Sequence, residues 1–342
     1  MGTMPLEREI TEPVALTTPD GRLNPAAVGW TREPLHDTTG LARRSTLDCR
    51  GALLHGPRWG RTKRWEYWAI TTKTHVVAVT ISDIDYAGVN ALFALDRRTG
   101  EQITTESVTP FARGVEMTTE GGRAAYEGSD LRIELTAQDG GTCVRAQSAR
   151  VHLQAVVPLP AGHERLGVVV PWSASRFQYT IKDVARPVTG TLWIDGAQYE
   201  LPEGRSWATL DHGRGRWPYR IAWNWGAGSG RVDGQTVGLQ VGGQWTDGTG
   251  STENAVFVDG HLTKISDDLH WSYDPGHWLR PWRVEGGDVH LTFSPEHLRQ
   301  ARTQLGVLAS RTAQCFGIWA GRAGEQRIDG LYGWAEDVRQ RW

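Results

Sequence analysis

Residues 219–243 read YRIAWNWGAGSGRVDGQTVGLQVGG. In the first part, Tyr219, Ile221, Trp223 and Trp225 alternate with Arg220, Ala222 and Asn224. Alternation with a period of two marks a strand with two unlike faces. In the second part, Val237, Leu239 and Val241 alternate with Thr236, Gly238 and Gln240. Asp233-Gly234 stands between them, a pair suited to the left-handed residues of a tight hairpin turn. The stretch therefore predicts two antiparallel strands joined by a hairpin.

The same pattern extends outward. Leu131, Ile133 and Leu135 alternate with Arg132, Glu134 and Thr136, and Val289, Leu291 and Phe293 with Asp288, His290 and Thr292. Asp195-Gly196, Asp247-Gly248 and Asp259-Gly260 are further turn signals. No long amphipathic helix is visible. One short helix is expected at Ser294-Pro295-Glu296, with Ser as N-cap and Pro in the first turn. The chain reads as all-β.

An internal echo divides it. Lys63-Arg64-Trp65-Glu66-Tyr67-Trp68 leads into VVAVTISD much as Tyr219–Trp225 leads into TVGLQVGG, about half of the 342 residues later. The echo predicts a tandem duplication, with an N-terminal barrel-like domain over 1–160 and a C-terminal one over 161–342. The expected boundary is Pro158-Leu159-Pro160-Ala161-Gly162, a proline-rich break before a fresh apolar run. A chain of this length suits two packed units better than one core. Two small antiparallel barrels, or strongly curved sheets packed together, would protect their edges and leave a mouth for a ligand.

Composition excludes several classes. The formal net charge is -2, which gives no bulk attraction to nucleic acid. Arg58, Arg61, Lys63 and Arg64 interleave with Trp59, Trp65, Tyr67 and Trp68, a mixture that can bind single strands. Here it stands alone, and cation–π contact between Arg stems and Trp rings is the better reading. No apolar run is long enough for a membrane span, and the polar start MGTMPLEREITEP lacks a signal core or an acylation motif. Cys49, Cys143 and Cys315 are an odd, scattered set without metal spacing, and none of the four Asn residues begins a glycosylation sequon. A cytoplasmic protein is expected. The histidines lack zinc spacing, and no phosphate loop, nucleophile elbow or dinucleotide fingerprint is present. No metal or cofactor is expected, and oligomeric state is left open.

Several strings, in order, resemble a known family. They are DGRLNPAAVGWTREPL, KRWEYWAIT, TISDIDYAG, VVPWSASRFQYTIKDVARPVTG, LDHGRGRWPYRIAWNWGAGSG, GGQWTDGTGSTENAVFVDGHLTKI and GWAEDVRQRW. Together they resemble the bacterial domain-of-unknown-function family 2804 from about Glu12 to Trp342. That family tends to carry Phe at the position of His212, and His where Val338 and Arg339 stand, which weakens any family-wide role for His212. The resemblance implies no settled activity. It implies an architecture similar to the tandem lipocalin-like proteins, which include carotenoid hydratases and some cyclases. Those hold a greasy substrate between two barrels and use acid–base side chains, an analogy at the level of fold.

Eight of the 17 tryptophans fall between Trp207 and Trp282, among glycines and a few polar groups. The rings would fill the core of an all-β protein, or wall a small-molecule pocket. In Asp211-His212-Gly213-Arg214, strand geometry puts Asp211 and His212 on opposite faces unless a bulge intervenes, while His212 and Arg214 share one. A nearby Arg would favour the neutral, basic form of His212. Alternatively, Asp211 ties a turn and pairs with Arg214.

Tyr219, Trp223 and Trp225 would present one face of their strand and Asn224 the other. Either face could line a lumen, or the Trp face could pack on the partner barrel. In Trp245-Thr246-Asp247-Gly248-Thr249-Gly250-Ser251-Thr252-Glu253-Asn254, Glu253 is the leading general acid, because a carboxyl among Trp rings has a raised pKa. Asp247 is the possible second carboxylate. A hairpin with hydrogen-bonding loop residues is the plainer reading of that stretch. Glu336 reads more readily as an ion-pair partner of an Arg than as a catalytic acid.

These residues point to a cofactor-independent acid–base enzyme (a hydratase or lyase, isomerase or cyclase) for a small, largely apolar or ring-shaped molecule. Glu253 would donate a proton, and His212 or Asp211 would accept it. Arg214 or Asn224 would hold a polar handle, with Trp217, Tyr219, Trp223, Trp225, Trp245 and Asn254 completing the pocket. A non-catalytic small-molecule carrier would use the same rings. A carbohydrate-active enzyme would pair Asp247 with Glu253 across a glycosidic bond.

Overall fold

The computed structural model describes residues 7–41, 60–118, 122–305 and 308–341. Cys49, Arg58 and Trp59 lie outside the described residues. The described chain is built almost wholly from antiparallel strands, with two short 3-10 turns and no α-helix among the described residues.

One eight-stranded sheet holds β2 (Trp30–Thr31), β13 (Leu166–Ser173), β14 (Arg176–Pro187), β17 (Trp207–Arg216), β4 (Thr62–Thr71), β5 (His75–Asp83), β6 (Ala87–Asp96) and β7 (Gln102–Pro110), in that spatial order. A seven-stranded sheet runs β16 (Ala197–Leu201), β15 (Thr189–Ile194), β12 (Val151–Pro158), β11 (Gly141–Gln147), β10 (Arg132–Gln138), β9 (Arg123–Glu127) and β8 (Val115–Met117). The proline-rich stretch at 158–162 lies where the chain leaves β12 for β13, crossing from the second sheet to the first. A short parallel pair, β1 (Val14–Ala15) and β3 (His36–Asp37), flanks β2 in the chain.

The third sheet has nine strands, two runs of consecutive hairpins joined side by side. Its order is β21 (His261–Ile265), β20 (Asn254–Val258), β19 (Gln235–Gly243), β18 (Arg220–Val232), β26 (Gln326–Arg341), β25 (Leu308–Ala323), β24 (Val289–Leu305), β23 (Trp282–Gly286) and β22 (His270–Ser272). It curls into a half-barrel. The two aromatic hairpins that echo each other in sequence hold matching places: β4 pairs with β17, β18 pairs with β26, and β5 and β19 flank them.

The turns follow the Asp-Gly signals. Asp195, Asp233 and Asp259 adopt positive φ of 49°, 50° and 47°, each followed by a positive-φ glycine, and each closes a hairpin. The helix expected at Ser294-Pro295-Glu296 is not formed. Those residues lie inside β24, where the register shifts between Pro295 and His297. A bulge lets the ladder pass a proline that has no N–H to give.

Strand alternation sorts side chains into three cores. Within the first two sheets, Trp68, Ile70, Val77 and Val79 pack with Ile133, Leu135, Val144 and Leu153. Inside the half-barrel, Val237, Leu239, Val241, Trp282 and Trp319 pack together. The first two sheets make one packed unit and the half-barrel a second, and between them the opposite faces of the same strands meet: Ala69, Val76, Ala78 and Phe93 against Trp225, Phe257, Phe316 and Trp334. The central strands are thus buried on both sides, and this third core is the aromatic one. Among the described residues no helix is long and apolar enough to cross a membrane.

Candidate active site

β17 is the pivot. Its register against β4 is unbroken from Trp207 to Arg216, so Asp211 and His212 point to opposite faces. Asp211 enters the aromatic core between the units. His212 and Arg214 enter the first unit.

On the inter-unit face, β14 pairs with β17 so that Lys182 stands opposite Asp211. Lys182 Nζ lies 3.0 Å from Asp211 Oδ1 and 3.0 Å from Glu253 Oε2, and 4.3 Å from the centre of the Trp225 ring. Lys182 is 4 % exposed and Glu253 1 %. Burial opposes the lysine's charge, but Asp211 and Glu253 outweigh it and raise its pKa. Burial pushes the Glu253 carboxyl up, with Asp211 adding to the effect against the pull of Lys182. One ammonium cannot neutralise two carboxylates.

A third carboxyl, Glu336, is buried at the same junction. It forms no ion pair among the described residues. Trp223 Nε1 donates to its Oε1 at 2.9 Å and Gln314 Nε2 to its Oε2 at 3.1 Å. Burial pushes its pKa up to about 7. Each of the three carboxyls accepts from an indole: Asp211 Oδ2 from Trp65 at 2.9 Å, Glu253 Oε1 from Trp245 at 2.6 Å, and Glu336 from Trp223. Tyr67 stands edge-on to Trp225 and Trp334, its phenol kept neutral by burial and then by the charge of Glu336.

The rings form one connected cluster. Trp217 meets Trp65, Trp172 and Trp223 edge-on and stacks on Trp245 with centroids 5.7 Å apart. Trp65, Tyr67, Trp172 and Trp223 are only half-buried, and the Asp211 side chain keeps 12 % exposure. Two glycines make room: a Cβ on Gly213 would stand 2.2 Å from the Trp65 ring, and one on Gly242 2.2 Å from Glu253 Oε1.

The structure divides the residues singled out from sequence among several settings. Asp211, Glu253, Trp217, Trp223, Trp225 and Trp245 meet between the units. His212 and Arg214 lie across β17, joined through Glu66 at 2.7 Å and 2.9 Å. Asn224 faces the half-barrel, where it donates to Tyr273 Oη at 3.1 Å and accepts from Gln244. Asn254 locks the β19–β20 connection by accepting from Gly242 N and donating to Asp267 O. Tyr219 is exposed, under the Arg61 guanidinium. Asp247 is exposed on its turn, accepting from Gln244 N at 2.9 Å. Of the basic residues near Trp65, Lys63 lies over the Tyr86 ring, so the cation–π contacts here use Tyr.

Lys182 was not singled out by its chemistry; it appears only within a family string. Glu336 was read as an ion-pair partner and instead bonds neutral donors. The one available signal for Lys182 is its place in the mixed apolar and polar stretch FQYTIKDVA.

No curated protein sequence matches the chain. Solved structures share its fold. An AttH candidate from Nitrosomonas europaea is 12% identical, with TM-score 0.53, over 81% of this chain and 92% of that one. Kievitone hydratase from Nectria haematococca is 11% identical, with TM-score 0.51, over 83% and 89%. CghA, solved with Sch210972, is 10% identical, with TM-score 0.51, over 82% and 89%. At such identity the likeness is one of fold, the tandem lipocalin-like architecture described above. Residues 7–342 match the family described as Domain of unknown function (DUF2804), and the chain belongs to that family.

Proposed function

We propose that this protein is a cofactor-independent acid–base enzyme of the hydratase, isomerase or cyclase type. Its substrate is a small, largely apolar or ring-shaped molecule held among the inter-unit indoles. One observation carries this reading: three carboxyls are buried at one junction, where the Lys182 ammonium pairs with Asp211 and Glu253 while burial leaves Glu336 poised near neutrality with its pKa up to about 7. A carboxyl that is half-protonated at working pH can both give and take a proton. Burial alone would keep such a group rare, and strongly shifted acids gather at functional sites.

In this reading Glu336 delivers the proton. Asp211, the most exposed of the three acids and anchored by Lys182, receives one from water or substrate. Glu253 and Lys182 hold the charge balance. Indole faces stabilise positive charge that develops on protonated carbon. Hydration is the first chemistry to test, since a hydratase stands among the proteins that share the fold. Paired carboxylates acting on a sugar are less supported, because Asp247 is on the surface while Glu253 is buried.

The test begins with native mass spectrometry of protein from its own host, to recover a bound molecule. That molecule is then incubated in heavy water with wild type and with Glu336→Gln. Deuterium incorporation by wild type, slowed by a factor on the order of 100 or more in the variant, is the expected result. A molecule released unchanged by wild type means a carrier. Equal incorporation by both proteins removes Glu336 from the mechanism.

A further inference from the structure

The other face of β17 carries a second feature. A cavity of about 310 Å³ opens in the first unit, between the segment around β3 and strands β14 and β17. Its walls include Pro34, Leu35 and Ile181 on the apolar side and His36, Tyr179 and His212 on the polar side. The three polar residues are contiguous: the Tyr179 ring centre lies 4.5 Å from that of His36 and 6.4 Å from that of His212. All three are more than nine-tenths buried.

Hydrogen bonding fixes what each ring offers. His212 Nδ1 is 2.7 Å from Glu66 Oε1. Burial works against ionisation of Glu66, but His212 and Arg214 outweigh it and hold the pKa low. An ionised carboxylate only accepts, so Nδ1 carries the hydrogen. Burial and then Arg214 lower the His212 pKa and keep the ring neutral, which leaves Nε2 as a bare lone pair. Among the described residues no group bonds that nitrogen. His36 Nε2 lies 2.9 Å from the Ala27 carbonyl and must donate to it. Its Nδ1 is therefore also a lone pair, and it is buried without a partner. The Tyr179 hydroxyl is buried against the His36 backbone.

An unmet buried acceptor is costly, and that of His36 stands in the same cavity wall as the unbonded nitrogen of His212. Two ring-nitrogen acceptors around one cavity mark a place completed by a donor-bearing ligand. The exposed Asp37 carboxylate at the rim disfavours anions. The volume sits at the small end of ligand pockets, which run from about 300 to 1,000 Å³.

We infer that this cavity is a second binding site, separate from the acid–base centre, for a small neutral molecule with one apolar ring and two hydroxyl or N–H donors. His36 Nδ1 and His212 Nε2 accept those donors, and Leu35 and Ile181 cover the ring. Glu66 and Arg214 act as positioning residues for His212.

The test uses the full chain with ring-15N histidine and three probes: catechol, resorcinol and hydroquinone. At least one should shift the His36 Nδ1 and His212 Nε2 resonances saturably. The matching dimethoxybenzene, which lacks donors, should bind at least tenfold more weakly. Ile181→Trp, which fills the cavity, should abolish the shifts. Leu35→Trp fills it from the covering segment and serves if the first variant does not fold. No shift from any diol at millimolar concentration overturns the inference. So does equal binding of the ethers, or binding that survives a filled cavity.

Discussion

Trp223 donates its indole N–H to Glu336 across 2.9 Å, from β18 to β26, and this neutral donor takes the place of a cation. That bond favours the ionised form, but burial outweighs it, so the carboxyl resists ionisation with its pKa up to about 7 against 4.5 for a free glutamate. Between those values the unfolded chain has lost the proton while the folded protein still holds it. Folding stability contributed by this group therefore falls as pH rises through that window and levels off above it. The shift corresponds to roughly 3 kcal/mol at about 1.4 kcal/mol per unit. Glu336→Gln should match wild type near pH 4 and gain up to about that amount at pH 8. Urea unfolding of both proteins at the two pH values checks it; a pH-independent difference would contradict the shifted carboxyl.

Lys182 makes a different prediction. Removing one partner of a buried ion pair typically costs about 3–5 kcal/mol, because the remaining charge is left unpaired. Lys182→Met strands both Asp211 and Glu253, so a loss of this order is expected in urea unfolding. The double variant Lys182→Met/Glu253→Gln removes a stranded charge along with the lysine. It should be more stable than the single lysine variant, a non-additivity on the order of 1–3 kcal/mol. Simple additivity would mean the three groups do not share charge.

The fold was largely legible because strand physics is local. Alternation and Asp-Gly turns placed β18, β19 and the hairpins at Asp195, Asp233 and Asp259 without any partner being known. The opposed faces of Asp211 and His212 followed from adjacency alone. Pro295 misled because a proline after a serine suits a helix start as well as a bulge, and only the neighbouring strand decides between them. The site was less legible because its pairings are long-range. Glu66 reaches His212 from 146 residues away, and Trp223 reaches Glu336 from 113. The Lys182 partnership needs the β14–β17 register, which period-two patterning cannot supply. Trp-rich sequence announced an aromatic core without saying which rings would carry N–H bonds to acids.

Gly242 tests how tightly Glu253 is seated. An added Cβ would fall 2.2 Å from Oε1 and 2.5 Å from Cγ of that residue. The carboxyl is held by Trp245 and Lys182, so it cannot yield without giving up one of them. Gly242→Ala should destabilise by about 1–3 kcal/mol, the usual cost of overpacking a filled core. Ala on the open turn at Gly248 has empty space around it, with only the backbone cost of its φ of 71°. A Gly242→Ala protein as stable as wild type would mean that Glu253 has room to move.

His36 sets the acid limit from the opposite sign. Its Nε2 donates to Ala27 and burial lowers its pKa from 6.5 to about 4. Between those values the unfolded chain binds a proton that the folded protein refuses. Stability is therefore intact above pH 6.5, falls as pH drops through the window, and is fully lost from this group below about 4. The shift is worth roughly 3 kcal/mol by the same conversion. His36→Gln keeps a donor within reach of Ala27 but cannot take up the proton. Its stability should fall less than that of wild type between pH 7 and pH 4, by up to about that amount, in urea unfolding. Parallel pH curves for the two proteins would show that His36 titrates normally and that its ring is reached by water.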